Sequence, residues 1–307
     1  MAKSKTKDKK SSTKTSSFGT SGRRNHDSSD FYNSRLYKNL KNEKKVEYIE
    51  NKIPNDIINN IYCKSSEKMD ELNDSSVHLM ITSPPYNVSK DYDDDLSLDE
   101  YRSLLKNVWE ETYRVLVPGG RVCINVANIG RKPYIPLHTY IILDMLDIGF
   151  FMRGEIIWNK GSSSGGSTAW GSWKSASNPT LRDIHEYILV FSKDTFSRKR
   201  GDRIDTIEKQ QFLDWTKSIW SFSTVSAKKI GHPAPFPEEL PNRLIQLYSF
   251  ENDVVLDPFV GSGQTCISSI KNNRNYIGYD IDENYVQMCK TRISTVRDQM
   301  TIFDDND

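Results

Sequence analysis

The stretch 254–280 constrains the fold of this chain more than any other part of its sequence. A short apolar run is followed by a loop that contains Gly261 and Gly263, then by a helical segment, and then by a second apolar run that ends at Asp280. Strand, loop, helix and strand in this order make up a βαβ unit, whose two strands are parallel. The stretch therefore predicts an α/β fold built on a mostly parallel sheet.

The same stretch has the residues of a nucleotide-type site. Glycines allow the backbone to approach a ligand closely, and a carboxylate at the end of the second strand can accept hydrogen bonds from both hydroxyls of a ribose. Asp280 lies 19 residues after Gly261, near the offset of about 20 residues that this role requires. These residues favour a cofactor that contains adenosine. The alternative is that Asp280 is an ordinary carboxylate at the start of a loop.

Strands and helices alternate along most of the remaining chain. Apolar runs predict strands at 57–62, 77–81, 121–126, 155–158 and 185–191, and helical spacing predicts helices at 98–115, 135–146, 238–248 and 283–297. Ser97 and Glu100 have the spacing of a capping box, which marks the start of the first helix. Pro118, Gly119 and Gly120 are expected to end it. Because such alternation gives a sheet covered on both faces, ligands are expected at the carboxyl ends of the strands.

The strand at 77–81 leads into an unusual loop, Thr82-Ser-Pro-Pro-Tyr-Asn87. Two consecutive prolines fix two φ angles and remove two backbone donors, so we expect a stiff loop whose carbonyl groups face outward. With a hydroxyl before the prolines and an aromatic ring after them, the loop can hold a planar ring and accept hydrogen bonds from an amine. Taken alone, the same residues are also typical of a simple turn.

The charge of the chain is unevenly distributed. Residues 1–24 contain eight basic side chains and one acidic side chain and carry +7, whereas the rest of the chain contains 34 basic and 40 acidic side chains and carries −6. A Lys/Ser/Thr-rich segment without apolar periodicity cannot offset the entropy of ordering, so residues 1–22 are predicted to be disordered. Such a basic arm either adds salt-dependent affinity for nucleic acid or only increases solubility.

Two polar segments interrupt the alternation of strands and helices. The loop 161–177 is rich in Gly and Ser and contains Trp170 and Trp173. Residues 194–230 contain runs of Lys and Arg with aromatic residues between them. Basic side chains interleaved with aromatic ones favour a segment that binds nucleic acid over a disordered loop.

The composition is that of a soluble globular protein. No apolar stretch approaches the roughly 18 to 20 residues of a membrane span, and the N-terminus lacks the apolar segment of a signal peptide. We therefore expect a cytoplasmic protein without a membrane partner. The four cysteines form no Cys-x-x-Cys pair and no metal-ligand spacing with the five histidines, so no metal is expected.

Two motifs of the sequence resemble those of amino-group DNA methyltransferases. Asp257-Pro-Phe-Val-Gly-Ser-Gly-Gln-Thr265 resembles their cofactor motif, and the loop 82–87 resembles their catalytic motif. The catalytic motif precedes the cofactor motif, which is similar to the circularly permuted order of the beta class, with the target-recognition region between them. The similarity spans about 57–297 and includes further segments at 117–121, 154–158, 185–189 and 232–240.

This resemblance implies a Rossmann-like S-adenosylmethionine methyltransferase sheet of seven strands, one of them antiparallel. It divides the chain into a disordered basic tail (1–22), an N-terminal extension (23–56), a catalytic half (57–193), a target-recognition insertion (194–230), a cofactor-binding half (231–300) and an acidic tail (301–307). It implies transfer of a methyl group from S-adenosylmethionine to the exocyclic amine of a flipped base in double-stranded DNA. A restriction-modification role with a cognate restriction endonuclease is compatible with it, and so are a monomer and a homodimer.

The resemblance also implies roles for individual residues. Ser83 Oγ and the Pro84 carbonyl accept hydrogen bonds from the amine, Pro85 completes the stiff loop, and Tyr86 stacks on the base. The cofactor residues implied are Asp257, Pro258, Phe259, Gly261, Ser262, Gly263, Thr265 and Asp280, together with His232 and Pro233, whose segment closes over the cofactor. Contacts with DNA are predicted for Trp170, Trp173, Arg182, Arg198, Lys199, Arg200, Lys228 and Lys229, with Lys193 and Arg203 as further candidates. The alternative for the basic residues is a solvated loop.

Comparison with the family pattern shows two departures in this sequence and indicates the target base. Many relatives carry one acid at the position of Cys63-Lys64 in this chain and a second acid at the position of His78. Because residues 63 and 64 are not acidic here, no carboxylate contact from them to the adenine ring of the cofactor is expected. A serine before Pro-Pro-Tyr, here Ser83, goes mostly with cytosine, and Asp or Asn mostly with adenine. The sequence thus favours N4-methylcytosine. The alternatives are an N6-adenine methyltransferase and a catalytically inactive relative that binds DNA.

Overall fold

The computed structural model describes residues 32–38, 40, 42–86, 96–161, 170–225 and 236–304. The chain divides into two compact units, Met1–Glu43 and Lys44–Asp307. In the first unit the described residues form mostly turns, and the rings of Tyr32 and Tyr37 meet edge to face at 5.1 Å. The predicted disordered tail lies outside the described residues. The helices and strands that follow all belong to the second unit.

Eight strands form the main sheet. The strands in chain order are β1 (Asn60–Cys63), β2 (Val77–Thr82), β3 (Leu116–Val126), β4 (Ile129–Gly130), β5 (Tyr134–Ile135), β6 (Phe151–Asn159), β7 (His185–Ser192), β8 (Ile219–Ser221), β9 (Val254–Asp257) and β10 (Asn275–Asp280). The main sheet has the order β1-β10-β9-β2-β3-β7-β6-β8, and β4 and β5 form a separate hairpin. In the main sheet β7 is antiparallel to both neighbours and every other pair is parallel. The predicted α/β fold with a mostly parallel sheet and one antiparallel strand is confirmed.

The predicted count of seven strands is wrong by one for the described part of the chain. β8 lies inside the segment 194–230 and pairs in parallel with β6, so it extends the sheet at one edge. Trp220 in its middle is 1% exposed, and its indole Nε1 donates a hydrogen bond to the Trp215 carbonyl. A three-residue strand with a single buried side chain has almost no periodic pattern, which is why the sequence did not reveal it.

The described helices are α1 (Leu98–Val115), α2 (Leu137–Ile148), α3 (Lys209–Trp215), α4 (Glu239–Tyr248), α5 (Gln264–Lys271) and α6 (Glu283–Asp304). The predicted start of α1 is confirmed, because Glu100 N–H donates to Ser97 Oγ at 3.3 Å and Ser97 N–H donates to the Glu100 carboxylate at 2.8 Å. None of the described helices is long and apolar enough to cross a membrane.

The predicted bounds of α1 are confirmed, but Pro118, Gly119 and Gly120 do not end the helix as predicted. The helix ends at Val115 and the chain continues directly as β3, so Pro118, Gly119 and Gly120 lie inside a strand. Gly119 has a φ of +78°, and a Cβ at this position would lie 2.3 Å from the Ser197 carbonyl oxygen. Glycine is needed here because another backbone segment passes close to the strand, not because a helix stops.

Helices cover both faces of the sheet. On one face, Trp109 of α1 and Met80 of β2 belong to one buried cluster. On the other face, Leu244 of α4 and Val255 of β9 belong to a second one. All six residues of β2 are buried, as expected for a central strand with helices on both sides.

The central strands β2 and β9 bring two distant parts of the sequence together. Met80 of β2 pairs in parallel with Leu256 of β9, so the carboxyl ends of the two strands meet at the same edge. The Pro-Pro loop (residues 82–86) follows β2, and the glycine loop (residues 258–263) follows β9. The two loops singled out in the sequence therefore begin side by side.

The opposite, amino edge of the sheet is closed by ion pairs and hydrogen bonds. Arg198 forms two hydrogen bonds with Asp253, at 2.6 and 2.7 Å, and both side chains are buried. His78 accepts a hydrogen bond from the Val254 N–H at Nδ1, and its Nε2 donates to Glu50 at 3.0 Å. The hydrogen bond from His78 lowers the pKa of Glu50 well below its ordinary value. These side chains thus pair with one another at the amino edge.

Candidate active site

The Pro-Pro loop lies at the carboxyl edge of the sheet, as predicted, and is fastened from two sides. Tyr101 of α1 donates a hydrogen bond to the Pro85 carbonyl at 2.7 Å. The Tyr86 hydroxyl accepts a hydrogen bond from the Ala127 N–H at 3.3 Å and lies 3.3 Å from Ser83 Oγ. The loop is therefore held by α1 and by the segment after β3, in addition to the stiffness of its prolines.

Both loops face one cavity of about 600 Å³. The sequence-predicted residues that line it are Ser83, Pro84, Pro85 and Tyr86 of the Pro-Pro loop, Pro258, Phe259 and Gly261 of the glycine loop, and Asp280 at the end of β10. A cavity of this size lies within the range of ligand sites. Residues predicted for catalysis and residues predicted for cofactor binding thus meet in one place.

Asp257 connects the two loops from behind the cavity. Its carboxylate accepts hydrogen bonds from Thr82 Oγ1 at 2.6 Å, from Thr265 Oγ1 at 2.7 Å and from the Phe259 N–H at 3.1 Å. Burial raises the pKa of Asp257 to about 6, against the effect of these hydrogen bonds. The residue fixes the end of β2 relative to the glycine loop, a role that the sequence did not reveal. Its contact with a cofactor stays a prediction, and so does that of Thr265.

Asp280 lies at the end of β10 with its carboxylate facing the cavity. Its Oδ2 accepts a hydrogen bond from the Gly261 N–H at 2.9 Å, and its Oδ1 accepts one from the Asp282 N–H at 3.0 Å. Burial raises the pKa of Asp280. Because a carboxylate has about four acceptor positions, these hydrogen bonds leave acceptor capacity for a ligand hydroxyl. The acid therefore has the geometry that its place in the sequence predicts.

Close packing against α6 shapes the glycine loop. Gly263 has a φ of +83°, and a Cβ at this position would lie 2.5 Å from Cys289 Sγ. The Ser262 carbonyl accepts a hydrogen bond from the Arg292 guanidinium. Ser262 and Gly263 are buried beside the cavity and do not line it. They set the shape of the loop, and their contact with a cofactor stays a prediction.

Much of the cavity wall was missed in the sequence. It comes from the segment after β1, from α1 and from the start of α6, with Lys64, Ser65, Ser66, Glu67, Leu96, Tyr101, Leu104, Val108, Ile281, Asp282 and Tyr285. Helical spacing marked several α1 residues as buried, but spacing does not distinguish a core position from a cavity wall. The segment after β1 could have been found only from its place at the end of a parallel strand.

Lys64, at the position from which no carboxylate contact is expected, lines the cavity. Its ammonium group pairs with Glu71 at 2.9 Å, and the Tyr279 hydroxyl donates to the other oxygen of the same carboxylate at 3.2 Å. A cation paired with an acid thus forms this part of the cavity wall.

Three residues predicted to contact DNA lie together. The rings of Trp170 and Trp173 meet edge to face at 5.3 Å, and the Arg182 guanidinium lies 3.9 Å from the centre of the Trp170 ring. Trp173 is 65% exposed. The surrounding turn is closed by a hydrogen bond from the Thr180 N–H to the Trp170 carbonyl, at 3.0 Å. This aromatic-arginine cluster (Trp170, Trp173 and Arg182) presents a cation and a ring to solvent.

Arg198 and Lys193, for which contacts with DNA were predicted, have buried side chains, so the structure gives these two predictions no support. Arg198 is enclosed in its ion pair at the amino edge. Lys193 is 7% exposed and donates from Nζ to the Leu116 carbonyl at 2.6 Å. Burial lowers the pKa of Lys193. Arg203 is likewise engaged in a pair with Glu50. The chain after β7 folds back over the amino edge, opposite the cavity.

Lys199 and Arg200 are exposed and belong to this same segment. Arg200 pairs with Asp205 at 3.0 Å on the surface, and the Lys199 carbonyl accepts a hydrogen bond from Arg203 at 2.8 Å. Both residues therefore lie near the amino edge, and their contact with DNA stays a prediction.

Five sequence-predicted residues lie outside the described part of the chain: Asn87, Lys228, Lys229, His232 and Pro233. The segment that contains the last two is described again from Phe236 onward. There Gln264 Nε2 donates to the Phe236 carbonyl at 3.1 Å, which places the end of the segment beside the start of α5 and the glycine loop.

Comparison with known proteins identifies the family. A family model for N6/N4-type methyltransferases, described as DNA methylase, matches residues 77–291. The type II methyltransferase M.MjaI of Methanocaldococcus jannaschii is 33% identical over 272 residues, which cover 74% of this chain and 88% of that protein. The type II methyltransferase M.MthZI of Methanothermobacter thermautotrophicus is 33% identical over 276 residues, which cover 76% of each chain.

Solved structures agree with this comparison. A putative DNA modification methylase of Thermus thermophilus, complexed with S-adenosyl-L-methionine, has a TM-score of 0.62 and 29% identity, with 77% of this chain and 93% of that chain covered. The cytosine-N4-specific PvuII DNA methyltransferase also has a TM-score of 0.62, with 78% and 89% covered, but at 20% identity it shows the fold alone. With the Pro-Pro loop ahead of the glycine loop in the sequence and both facing one cavity, this chain belongs to the DNA methylase family of amino-group methyltransferases, in its beta-class order.

Proposed function

We propose that the protein transfers the methyl group of S-adenosylmethionine to the N4 amine of a cytosine flipped out of double-stranded DNA. The observation that carries this proposal is that Ser83 and Asp280 face the same cavity. Ser83 provides an acceptor on a stiff loop, and Asp280 provides an acid at the end of the second strand of a βαβ unit. The cavity can thus bind a ribose at one end and an amine at the other.

The cofactor end of the cavity fits S-adenosylmethionine. The oxygens of Asp280 are held in place by backbone N–H groups and keep acceptor positions for the two ribose hydroxyls. Phe259 and Ile281 add apolar surface to the wall, and Gly261 removes the side chain where the backbone must approach the ligand. When bound, S-adenosylmethionine supplies an electron-poor methyl group on a sulfonium. The cofactor-bound methylase of similar fold supports this assignment.

Ser83 and Pro84 activate the amine. The lone pair of an exocyclic amine is delocalised into the base, so the amine is a poor nucleophile until its N–H groups are held by acceptors that favour the tetrahedral form. Ser83 Oγ and the Pro84 carbonyl are these acceptors, whereas the Pro85 carbonyl already accepts a hydrogen bond from Tyr101. Direct displacement follows, with the amine nitrogen in line with the methyl group. The bond from nitrogen to methyl would form as the bond to sulfur breaks, which leaves a neutral thioether, and the amine would then give its extra proton to water.

Tyr86 holds the base as a neutral ring. Burial and then the charge of Glu186 raise the pKa of Tyr86 well above its ordinary value, so the phenol stays protonated. Its hydroxyl is fixed by the Ala127 N–H, and its ring lines the cavity. A fixed aromatic ring provides a stacking surface for a base that has left the duplex.

The DNA duplex is contacted by the aromatic-arginine cluster. Trp173 offers an exposed ring for stacking, and Arg182 offers a cation for phosphates or guanine edges. The basic N-terminal tail adds affinity that does not depend on sequence and weakens with salt. The similarity to type II methyltransferases supports a role in restriction-modification. A cognate endonuclease, a cytoplasmic location and a monomeric or homodimeric state complete the proposal.

Cytosine is proposed as the target because Ser83 stands before Pro-Pro-Tyr. Adenine N6 is the second candidate, since the matching family includes both activities in its name. Mass spectrometry of nucleosides from methylated DNA distinguishes the two products. N4-methylcytosine is expected, and N6-methyladenine as the sole product would overturn the choice of base while leaving the reaction class intact.

The reaction itself is tested with purified protein, duplex DNA and S-adenosylmethionine labelled in the methyl group. We expect label in duplex DNA and none in RNA of the same sequence. Sequencing of DNA from a host that expresses the protein, with detection of modified bases, then gives the recognition site. Cofactor binding without methylation of any duplex would overturn the proposal in favour of an inactive DNA-binding relative.

A further inference from the structure

The segment 170–184 presents an unusual amount of apolar surface to solvent. Trp170, Trp173, Leu181 and Ile184 are all exposed, and Leu181, at 85%, has the largest exposed fraction among the large apolar side chains of the described residues. A single exposed leucine is common on protein surfaces, but several large apolar side chains in one short segment are typical of an interaction site. The two tryptophans belong to the aromatic-arginine cluster. Leu181 has no role in the function proposed above.

The backbone on both sides of Leu181 is held in place. Before it, the Thr180 N–H donates to the Trp170 carbonyl at 3.0 Å. After it, the Ile184 carbonyl accepts a hydrogen bond from the Lys160 N–H at 2.9 Å. A supported segment therefore presents the leucine side chain to solvent.

Leu181 lies beyond the carboxyl edge of the sheet, near the Pro-Pro loop. The first residue of β7, His185, pairs with Asn159, the last residue of β6, so the residues before it extend past this edge. Only β3 stands between β7 and β2, and two strand spacings amount to about 10 Å. Asp183 also forms an ion pair at 2.9 Å with Arg131, in the turn of the hairpin that follows β3. Leu181 is four residues before His185, hence at most about 14 Å from it.

Exposed cations accompany the exposed leucine. The Arg182 guanidinium lies over the Trp170 ring, and the Lys174 ammonium lies 5.7 Å from the centre of the Trp173 ring. Both cationic side chains are exposed. A duplex combines an anionic backbone with apolar faces of stacked bases, so cations around an apolar side chain fit DNA better than an apolar protein or lipid partner.

Base flipping creates a need that the cavity does not meet. When a base leaves the duplex, its stacking and pairing are lost and a gap opens between the neighbouring base pairs. Tyr86 and the rest of the cavity wall contact only the flipped base. An apolar side chain that inserts between base steps can fill such a gap and stabilise the distorted duplex.

We propose that Leu181 is this wedge: a positioning residue that inserts into the base stack where the target cytosine has left and stabilises the flipped state. Arg182 and Lys174 hold the backbone on either side of the gap. This inference rests on the function proposed above, because a wedge is needed only where a base is flipped.

Leu181→Ala tests the inference on two duplexes that contain the recognition site found by sequencing. In the first the target is paired with guanine. In the second it faces an abasic site, so no base pair has to be broken when it leaves. With protein in excess, the single-turnover rate of methyl transfer relative to wild type should fall about tenfold on the paired duplex and by less than about twofold on the abasic one. A role in folding or in general DNA affinity does not depend on how the target is paired. An equal loss on both duplexes, or no loss on either, would overturn the inference.

Two further variants control for the loss of an apolar side chain. Leu181→Met keeps a long apolar side chain and should stay within about threefold of the wild-type rate on the paired duplex. If it is as slow as the alanine variant, Leu181 is not a wedge. Ile204→Ala removes another exposed apolar side chain, in the segment that covers the amino edge, and should behave as wild type. Thermal melting and cofactor affinity should match wild type for all three variants.

Fluorescence of 2-aminopurine at the target position gives a readout that does not require methyl transfer. The signal rises when the base leaves the stack, and we expect a rise with saturating wild-type protein and a several-fold smaller one with Leu181→Ala. Equal rises would contradict the wedge. A wild-type protein that methylates no DNA would overturn the proposed function together with this inference, whereas an active wild type with equal losses on the two duplexes overturns only the role of Leu181.

Discussion

The two edges of the sheet use similar polar side chains in opposite ways. At the amino edge Arg198 and Asp253 bind each other in a buried pair. At the carboxyl edge Ser83 and Asp280 are fixed by the protein but keep acceptor positions toward a cavity. Polar groups that hydrogen-bond to one another stabilise the fold, whereas fixed polar groups that still have acceptor positions can bind a ligand. Substitutions at the two edges should therefore change different measurements.

The largest effect is expected for Ser83→Ala. Loss of a fixed hydrogen-bonding group at a reacting centre typically costs about 10² to 10³ in rate, and we expect a loss of this size in the single-turnover rate of methyl transfer. Cofactor affinity, measured by calorimetry, should stay within about twofold. Ser103→Ala, on an exposed turn of α1, is the control. An unchanged rate in the Ser83 variant would show that the Ser83 hydroxyl of the Pro-Pro loop takes no part in methyl transfer.

At the amino edge we expect a loss of stability without a loss of cofactor binding. Arg198→Ala leaves Asp253 buried without its partner, which should lower the free energy of unfolding by about 3 kcal/mol in urea denaturation. Arg200→Ala removes an exposed pair and should change it by less than about 0.5 kcal/mol. Equal effects of the two substitutions would show that the buried pair does not hold the amino edge together.

The third prediction concerns the cofactor end of the cavity. Asp280→Asn replaces one acceptor oxygen by a donor, so cofactor affinity should fall about tenfold while the fold stays intact. Asp298→Asn on the exposed side of α6 serves as the control. If binding of S-adenosylmethionine measured by calorimetry did not change, the carboxylate would have no contact with the ribose.

The smallest effect is expected at the aromatic-arginine cluster. Trp173→Ala removes one exposed stacking surface, and DNA affinity should fall about fivefold, or about 1 kcal/mol. Leu213→Ala, which removes another exposed apolar side chain, on α3, should leave DNA affinity unchanged. Fluorescence anisotropy with a labelled duplex measures both. A weaker cofactor affinity in the Trp173 variant would contradict its assignment to the DNA side.

Several elements could be predicted because their signals are local. Ser97 and Glu100 form the capping box that their spacing predicts, since both partners lie within one turn. Gly119 and Gly120 were interpreted wrongly, because a glycine at a close backbone contact looks the same in sequence as one that ends a helix. A local pattern indicates which residue type a position tolerates. It does not identify the distant segment whose close contact makes that residue type necessary.

The residues predicted to contact DNA show the same limit. Arg198 and Arg182 both lie in polar, basic surroundings, yet the first is buried in an ion pair and the second lies over the Trp170 ring. Whether a basic side chain meets solvent or an acid depends on which edge of the sheet its loop crosses. That choice follows from the antiparallel direction of β7, which the spacing of apolar residues does not contain.

The sequence by itself determined the chemistry of the two loops. Paired prolines, a serine, glycines and an acid at a set distance are properties of neighbouring residues, and their effects on the backbone act over a few positions. Only the tertiary structure decided that these loops form one site. Their meeting depends on the parallel pairing of Met80 with Leu256, and that register is set by burying both faces of β2 and β9 under helices from distant parts of the chain.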